Sequence, residues 1–332
     1  MFRREQFIKS IFEINSPQEF NELAVQLFHH QASSVQVFKD FLSFLNLRSS
    51  NITEISDIPC LPIQFFKKKH IITEGLETKT IFRSSGTSTS VTSEHLVHDL
   101  GLYEKSFRTF FESTYGSCED LVILALLPSY LEREDSSLVY MVNRLIELTE
   151  NSHSGFYKNN YEALVSKIES LIKSEKRIVL FGVTFGLLEV IEKYTSLDWS
   201  HVTIIETGGM KGRGRELTRS ELHKHLKTHL RVSEVHSEYG MTELLSQGYS
   251  NGEIFTPAPW MKVMTREVDD PFTYTAHNRT GGINVIDLAN LDSCAFLATD
   301  DLGKTQENGT FEVLGRFDHS DVRGCNLLVQ DI

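Results

Sequence analysis

The amino-acid sequence predicts an α/β fold in which a parallel sheet is flanked by helices and followed by a β-rich subdomain. Three nearly continuous apolar runs have the length of strands: LVILALLP (121–128), RIVLFG (177–182) and HVTIIETGG (201–209). Such runs are typical of strands that are buried on both faces of a sheet. Segments with helical periodicity lie between them, and this alternation indicates βαβ units. After about residue 251 the helical pattern ends and short β-rich segments follow.

Helices are predicted wherever apolar residues recur at three- or four-residue spacing. These segments are residues 1–48, 94–111, 136–149, 161–173 and 185–194, and a further helix that begins at a capping box of Thr218 and Glu221. A polar connection covers 48–62, and a short strand is predicted at 234–240. Segments 281–290, 294–301 and 310–318 predict an antiparallel or barrel-like subdomain. The predicted division is 1–250 for the helical N-terminus with the α/β core, and 251–332 for the β-rich subdomain.

Composition narrows the class of protein. The 332 residues are 40% hydrophobic and 23% charged, as in soluble globular proteins, and the longest apolar run is too short to cross a bilayer. The N-terminus lacks the apolar core of a signal peptide, so we expect a cytoplasmic location. A net charge of −12 argues against a nucleic-acid partner. The four cysteines show no metal-ligand spacing and are expected to be free thiols: Cys60, Cys118, Cys294 and Cys325.

Three loops carry residues that could do chemistry. IFRSSGTSTS (81–90) could form a phosphate-binding loop or a flexible polar turn, and it is not a Walker loop because no GK[ST] follows. ETGGMKGRGR (206–215) could hold a base and an anion, or be a mobile basic turn. EYGMTE (238–243) offers an aromatic face, a hydroxyl and a carboxylate, or simply turns from strand to helix. The last two loops follow predicted parallel strands, where open α/β sheets bind ligands.

The order of five short motifs resembles the adenylate-forming superfamily of acyl-CoA synthetases and peptide-synthetase adenylation domains. These motifs are SSGTS, GG, YGMTE, TDDLG (299–303) and GRFD (315–318). Within that superfamily the chain is most similar to the acyl-protein synthetases of bacterial luminescence operons, the LuxE family. The segments that carry this closer likeness are LLPSYLEREDSSLVYM (126–141), FGVTFGL (181–187), ETGGMKGR (206–213) and RGCNLL (323–328).

The resemblance implies that ATP and Mg²⁺ are used to activate a carboxylic acid, and it assigns roles to individual residues. The implied phosphate-binding loop contains Ser84, Ser85, Gly86, Thr87 and Ser88. Gly208 and Gly209 match the segment that lines the adenine, and Tyr239 would stack on the base. Gly240, the tight turn after Tyr239, is also expected to belong to the cofactor-binding residues. Thr242 and Glu243 would serve the phosphates and Mg²⁺, Asp301 would bind the ribose, and Arg316 would reach the ribose and phosphate.

Two further residues are candidates for later steps. Cys325 matches the C-terminal cysteine that carries the acyl group in the luminescence synthetases before transfer to a reductase, although a lone cysteine is more often an idle thiol. His153 lies where related enzymes place a residue between the phosphate and acyl pockets, or it is simply exposed. The remaining helical histidines are interpreted as surface residues: His29, His30, His223, His225 and His229.

The sequence departs from the pattern of the superfamily in one respect, and it leaves alternatives for the substrate, the acceptor and the class of protein. The sequence given ends at Ile332, shortly after GRFD, so the mobile C-terminal domain of the superfamily and its lysine are expected to be absent. The acid would be a fatty acid, and the final acceptor would be a partner protein such as a reductase, or a small thiol or amine. An aryl acid as the substrate and CoA as the acceptor remain alternatives. A different class is a non-catalytic subunit that binds nucleotide or acyl-adenylate.

Overall fold

A computed structural model shows a mixed α/β fold built around one large sheet, which confirms the predicted fold class. The structure describes residues 2–84, 92–127, 135–172, 176–195, 197–208 and 217–317. Within these residues, no helix is both long and apolar enough to cross a bilayer.

The helices lie close to where the periodicity predicts them. Within the described residues they are α1 (Arg4–Ile11), α2 (Pro17–Ser34), α3 (Gln36–Phe44), α4 (Leu100–Tyr115), α5 (Ser137–Leu148), α6 (Tyr161–Leu171), α7 (Thr184–Lys193) and α8 (Arg219–Leu230). The strands are β1 (Leu61–Pro62), β2 (Thr80–Arg83), β3 (Glu94–Val97), β4 (Leu121–Leu126), β5 (Gly155–Phe156), β6 (Arg177–Val183), β7 (Val202–Thr207), β8 (His236–Tyr239), β9 (Gly248–Ser250), β10 (Ile254–Pro257), β11 (Met261–Arg266), β12 (Gly281–Asp287), β13 (Phe296–Thr305) and β14 (Phe311–Arg316).

The parallel half of the sheet has the order β5–β4–β6–β7–β8, with a hydrophobic core on each face. Alternate residues of β4 divide between the two cores: Ile123 packs with α4 and α5, whereas Leu124 packs with α6, α7 and α8. Side chains alternate between the faces of a strand, so a strand with helices on both sides needs apolar residues at every position. The continuous apolar runs are therefore explained by burial on both faces.

The strands after residue 251 pair with one another in antiparallel fashion, as predicted, and they extend the same sheet, while β13 also pairs in parallel with β1. β9 pairs with β8, β10 pairs with β9, and the order continues through β14, β13 and β12 to β11. The division of the chain near residue 250 stays a prediction.

One segment that was predicted to be helical is a strand. Glu94–Val97 pairs with Thr80–Arg83 in an antiparallel hairpin, and the helix begins only at Leu100. The Asp99 side chain accepts a hydrogen bond from the Leu102 amide and so fixes the start of α4. The predicted helix over 94–111 is therefore wrong for its first residues, because the hairpin satisfies their backbone groups.

The predicted capping box of α8 is present. The Thr218 side chain accepts a hydrogen bond from the Glu221 amide, and the Glu221 carboxylate accepts one from the Thr218 amide. We expect Thr218→Ala to lower the free energy of unfolding by about 1 kcal/mol, measured by urea denaturation. Thr228→Ala is the matched control, because its exposed hydroxyl donates to the Lys224 carbonyl of the same helix and does not cap a helix end. Equal effects of the two changes would contradict the capping role.

Candidate active site

The ends of the parallel strands lie side by side at one edge of the sheet. Leu126 of β4 is level with Gly182 of β6, and Gly182 is level with Glu206 of β7. Thr207 of β7 is in turn level with Glu238 of β8. The loops that leave these strands therefore start next to one another, which is where open α/β sheets bind ligands.

Three predicted site residues meet in one hydrogen-bonded group. The Tyr239 hydroxyl donates to Asp301 Oδ2 at 2.9 Å, and Arg316 Nε donates to Asp301 Oδ1 at 3.1 Å. The side chain of Asp301 is 8% exposed, whereas that of Arg316 is 78% exposed. Asp301 faces Arg316 across the β13–β14 pair, next to a register shift between Leu302 and Gly303. The sheet therefore holds a carboxylate in place and leaves its cationic partner open to solvent.

The Tyr239 ring is packed into the protein. It makes edge contacts with Phe255 at 6.0 Å and Phe311 at 5.3 Å between ring centroids. Burial, together with Asp301, raises the pKa of Tyr239 well above its ordinary value, so the hydroxyl stays a hydrogen-bond donor. The residue is 7% exposed, so stacking of a base on this ring requires movement of its neighbours.

A second group surrounds the turn that contains Thr242 and Glu243. The Asn290 side-chain amide donates to the Glu243 carbonyl at 2.6 Å, and His95 Nδ1 lies 2.8 Å from the Thr242 carbonyl. A carbonyl can only accept, so Nδ1 carries the proton. Burial lowers the pKa of His95 to about 4, and the ring is therefore neutral. These bonds to main-chain oxygens fix the turn.

The Glu243 carboxyl is buried next to the Ser/Thr loop. Glu243 is 5% exposed, and burial raises its pKa while a hydrogen bond from the Ser93 side chain lowers it. Ser84, the first residue of the implied phosphate-binding loop, is held beside Ser93: its Oγ accepts from the Ser93 amide at 2.9 Å. The hairpin thus joins the start of that loop to Glu243. The other loop residues, Ser85, Gly86, Thr87 and Ser88, lie outside the described residues.

Two glycines of the site have conformations or contacts that a side chain would disturb. Gly208 follows β7 with a φ of 77°, and its carbonyl accepts a hydrogen bond from Thr184 Oγ1 at 3.1 Å. Gly240 is exposed, and a Cβ there would lie 2.2 Å from Glu238 Oε1. Gly209 lies outside the described residues.

The structure does not bring His153 to these groups. His153 is exposed in a turn, with Lys167 Nζ 3.4 Å from its Nδ1. The next residue, Ser154, accepts from the Ile123 amide near the start of β4, which is the opposite end of the sheet. Cys325 lies outside the described residues.

Some polar residues near the site were missed by sequence reasoning. His223, predicted to be a surface residue, is 5% exposed, and its Nε2 lies 3.1 Å from Ser237 Oγ. Ser237 in turn donates to Glu206, and Thr207 Oγ1 donates to Glu238 Oε2 at 2.6 Å. A signal was present, since the strands VTIIET and HSEY each carry a glutamate as their next-to-last residue, Glu206 and Glu238.

Glu243 is suited to hold Mg²⁺ together with phosphates. No cluster of three or more His, Cys, Asp or Glu side chains able to hold a metal occurs among the residues that the structure describes. Glu243 is a buried carboxyl beside the start of the Ser/Thr loop. Mg²⁺ often takes one or two protein carboxylates and completes its octahedron with phosphate oxygens and water. A carboxyl in this position therefore fits the metal of a metal–nucleotide complex.

Comparisons with known proteins give structural relatives. No family model matches the chain, and no curated protein matches it. A 2-hydroxyisobutyryl-CoA ligase, solved in an open conformation with 2-HIB-AMP and CoA, is 11% identical; the match covers 91% of this chain and 76% of that one, with a TM-score of 0.65. ATP-bound MatB from Rhodopseudomonas palustris is 16% identical, with coverages of 74% and 49% and a TM-score of 0.53.

A third relative is a long-chain-fatty-acid-CoA ligase from Archaeoglobus fulgidus, with 14% identity, coverages of 72% and 51%, and a TM-score of 0.51. The chain thus spans about half the length of the MatB structure, 49%. At these identities the likeness shows a common fold. The chain therefore has the fold of these three proteins, as the resemblance to adenylate-forming enzymes implied.

Proposed function

We propose that the protein activates a carboxylic acid with ATP and Mg²⁺ to form an acyl-adenylate. The carrying observation is the group in which buried Asp301 accepts hydrogen bonds from Tyr239 and Arg316, at the sheet edge that also holds the Thr242–Glu243 turn. The ATP-bound MatB and the ligase with 2-HIB-AMP share this fold and support a nucleotide ligand.

In this proposal each group has a separate task. The Asp301 carboxylate has acceptor capacity left for the ribose hydroxyls, and exposed Arg316 lies beside it to meet the ribose and phosphate. Ser84 and the residues after it hold the phosphates, with Thr242 and Glu243 as the residues that hold Mg²⁺. The metal supplies charge neutralisation for the phosphates.

The first reaction step is a displacement at phosphorus. A carboxylate oxygen of the acid attacks the α-phosphorus, the new C–O–P bond forms, and pyrophosphate leaves. The chain contributes mainly by positioning the two reactants and by stabilising negative charge. Neither task requires a protein base, because the acid is already ionised at neutral pH.

We further propose that Cys325 receives the acyl group as a thioester. Its thiolate attacks the acyl carbonyl carbon, AMP leaves, and the thiol proton passes to solvent. The final acceptor would be a protein such as a reductase. This step and a fatty acid as substrate follow the LuxE resemblance; an aryl acid, or CoA as the acceptor, are the alternatives.

The test incubates the full chain with ATP, Mg²⁺ and labelled fatty and aryl acids, and follows pyrophosphate release and protein-bound label. We expect Cys325→Ser to lose the label while pyrophosphate is still released; Cys118→Ser, in which a buried thiol is changed, is the control. Label that persists in Cys325→Ser would exclude the thioester step. Nucleotide binding without pyrophosphate release for any acid would instead indicate a non-catalytic binding subunit.

A further inference from the structure

A group of buried polar atoms lies beside the candidate site on the face of the sheet that packs against α4. Glu238 and Tyr249 are directly opposite each other in the β8–β9 pair, so their side chains are on the same face. Tyr249 identifies that face, since its ring stacks on Phe110 of α4 at 5.3 Å between centroids. Thr207 is level with Glu238 on the other side and donates to its Oε2.

Gly240 lies beside the side chains of both Glu238 and Gln247. A Cβ on Gly240 would lie 2.2 Å from Glu238 Oε1 and 3.7 Å from Gln247 Cγ, so both side chains flank the same small residue. Gly240 is exposed and Glu238 is partly exposed. The group can therefore be reached from the edge of the sheet where the strands end.

Two members of this group lack hydrogen-bond partners. Gln247 Oε1 and the Tyr249 hydroxyl are both buried, each residue is 3% exposed, and neither atom has a partner among the described residues. Buried polar atoms are nearly always satisfied by protein, water or ligand. The Gln247 amide oxygen and the Glu238 carboxylate can only accept hydrogen bonds, whereas the Tyr249 hydroxyl can accept or donate, so a group that satisfies the two acceptors must carry a donor.

We propose that Glu238, Gln247 and Tyr249 select a carboxylic acid that carries a hydrogen-bond donor, an ammonium or a hydroxyl group, over the plain alkyl acid of the same length. The proposal rests on the proposed function. An alkyl chain placed against Glu238 would remove water from a carboxylate and return no hydrogen bond. A donor on the acid would replace that water and satisfy the oxygens that lack partners.

The test measures ATP-dependent pyrophosphate release by the full chain with a medium-chain acid and with its ω-hydroxy and ω-amino derivatives. We expect at least one derivative to exceed the parent acid about tenfold or more in kcat/KM, since sites built for a hydrogen-bonding group reject analogues that lack it. In Glu238→Gln, the ratio of kcat/KM for the ω-amino derivative to that for the parent acid should fall close to one. In Tyr249→Phe, this ratio and the corresponding ratio for the ω-hydroxy derivative should both fall.

Tyr115→Phe is the matched control, because this tyrosine also lies on α4's side of the sheet but its hydroxyl contacts His236 Nδ1, at the start of β8. Its ratios should equal those of the wild type. A wild type that favours the parent acid, or ratios unchanged in Glu238→Gln and Tyr249→Phe, would overturn the proposal and leave these atoms as ligands of ordered water.

Calorimetric titration of the same acids, with a non-hydrolysable ATP analogue present, separates this inference from the proposed function. If no pyrophosphate is released with any acid, but the ω-amino derivative binds the wild type more tightly than it binds Glu238→Gln, the inference stands and the proposed activity fails. If no derivative binds the wild type more tightly than the parent acid, the inference fails whatever the turnover.

The affinity of the ω-amino derivative, measured by the same titration, should depend on pH. Burial raises the pKa of Glu238 to about 7, with Glu206 of β7 adding to the shift, while Tyr103, Tyr115 and Tyr249 stay neutral on the facing side. The carboxylate fraction therefore grows as the pH rises through about 7, and affinity for an ammonium group should grow with it. Glu238→Gln should remove this dependence, and its persistence would exclude Glu238 as the ammonium partner.

Discussion

Replacing Asp301 by Asn should reduce ATP-dependent pyrophosphate release by about 100-fold, because charge-assisted hydrogen bonds contribute roughly 1.5–3 kcal/mol each and 1.4 kcal/mol is a factor of ten. In the wild type, Asp301 accepts from Tyr239 at one oxygen and from Arg316 at the other. An amide can accept at only one of these positions and presents a donor at the other. The change would therefore remove the charge that strengthens both hydrogen bonds, release Arg316 if the amide nitrogen faced it, and weaken the proposed contact with ribose.

The measurement compares ATP affinity and pyrophosphate release in Asp301→Asn and Asp300→Asn. Asp300 is the adjacent carboxylate on the same strand, and it accepts from Gln64. Successive side chains of a strand point to opposite faces, so the control changes the same chemistry on the other side. We expect the ATP Kd to rise mainly for Asp301→Asn. A larger loss for Asp300→Asn would show that the ribose-binding role has been assigned to the wrong residue.

Much of the fold could be predicted from residue patterns alone. A run such as 121–128 is too apolar for a solvent-exposed strand and too short for a transmembrane helix. A strand that is buried on both faces is the structure that remains. The Thr218 capping box is equally local, since all its atoms lie within one helical turn. The motif order also pointed to Asp301, Tyr239 and Arg316, which are up to 77 residues apart in sequence and meet in the structure.

What sequence reasoning missed depends on pairing between distant segments. Glu94–Val97 has apolar residues that suit a helix, but the hairpin with Thr80–Arg83 takes its backbone bonds. His223 lies on a helix with a polar sequence, and only the position of β8 shows that it is buried against Ser237. The position of Glu238 opposite Tyr249 likewise follows from the register of β9. Such contacts join residues that are distant in sequence, so local secondary-structure propensity cannot predict them.

The second large effect is expected from Glu243→Gln, which should lower the rate of pyrophosphate release about 100-fold at low Mg²⁺, because it removes the anionic oxygen that hard cations prefer. Gln is close to Glu in shape, and its side-chain oxygen can still accept a bond from Ser93. Raising the Mg²⁺ concentration should recover part of the rate if Glu243 holds the metal. A variant with unchanged rate and unchanged Mg²⁺ dependence would exclude that role.

The control for Glu243→Gln is Glu206→Gln, since Glu206 is also a buried carboxylate with a pKa raised mainly by burial. Because burial raises the pKa of each carboxyl, keeping it ionised in the folded protein costs stability at any pH above the pKa of the unfolded state. Both variants should therefore gain thermal stability at pH 8. Neither should gain stability below about pH 4, where the carboxyl is protonated in the unfolded state as well. Only Glu243→Gln should change the Mg²⁺ dependence. The wild-type rate should also fall on acidification at a higher pH than an ordinary glutamate would give, because protonated Glu243 no longer attracts a cation. If Glu243→Gln gains stability but leaves the Mg²⁺ dependence unchanged, Glu243 has a structural role. Mg²⁺ would then be held by the phosphates and not by Glu243.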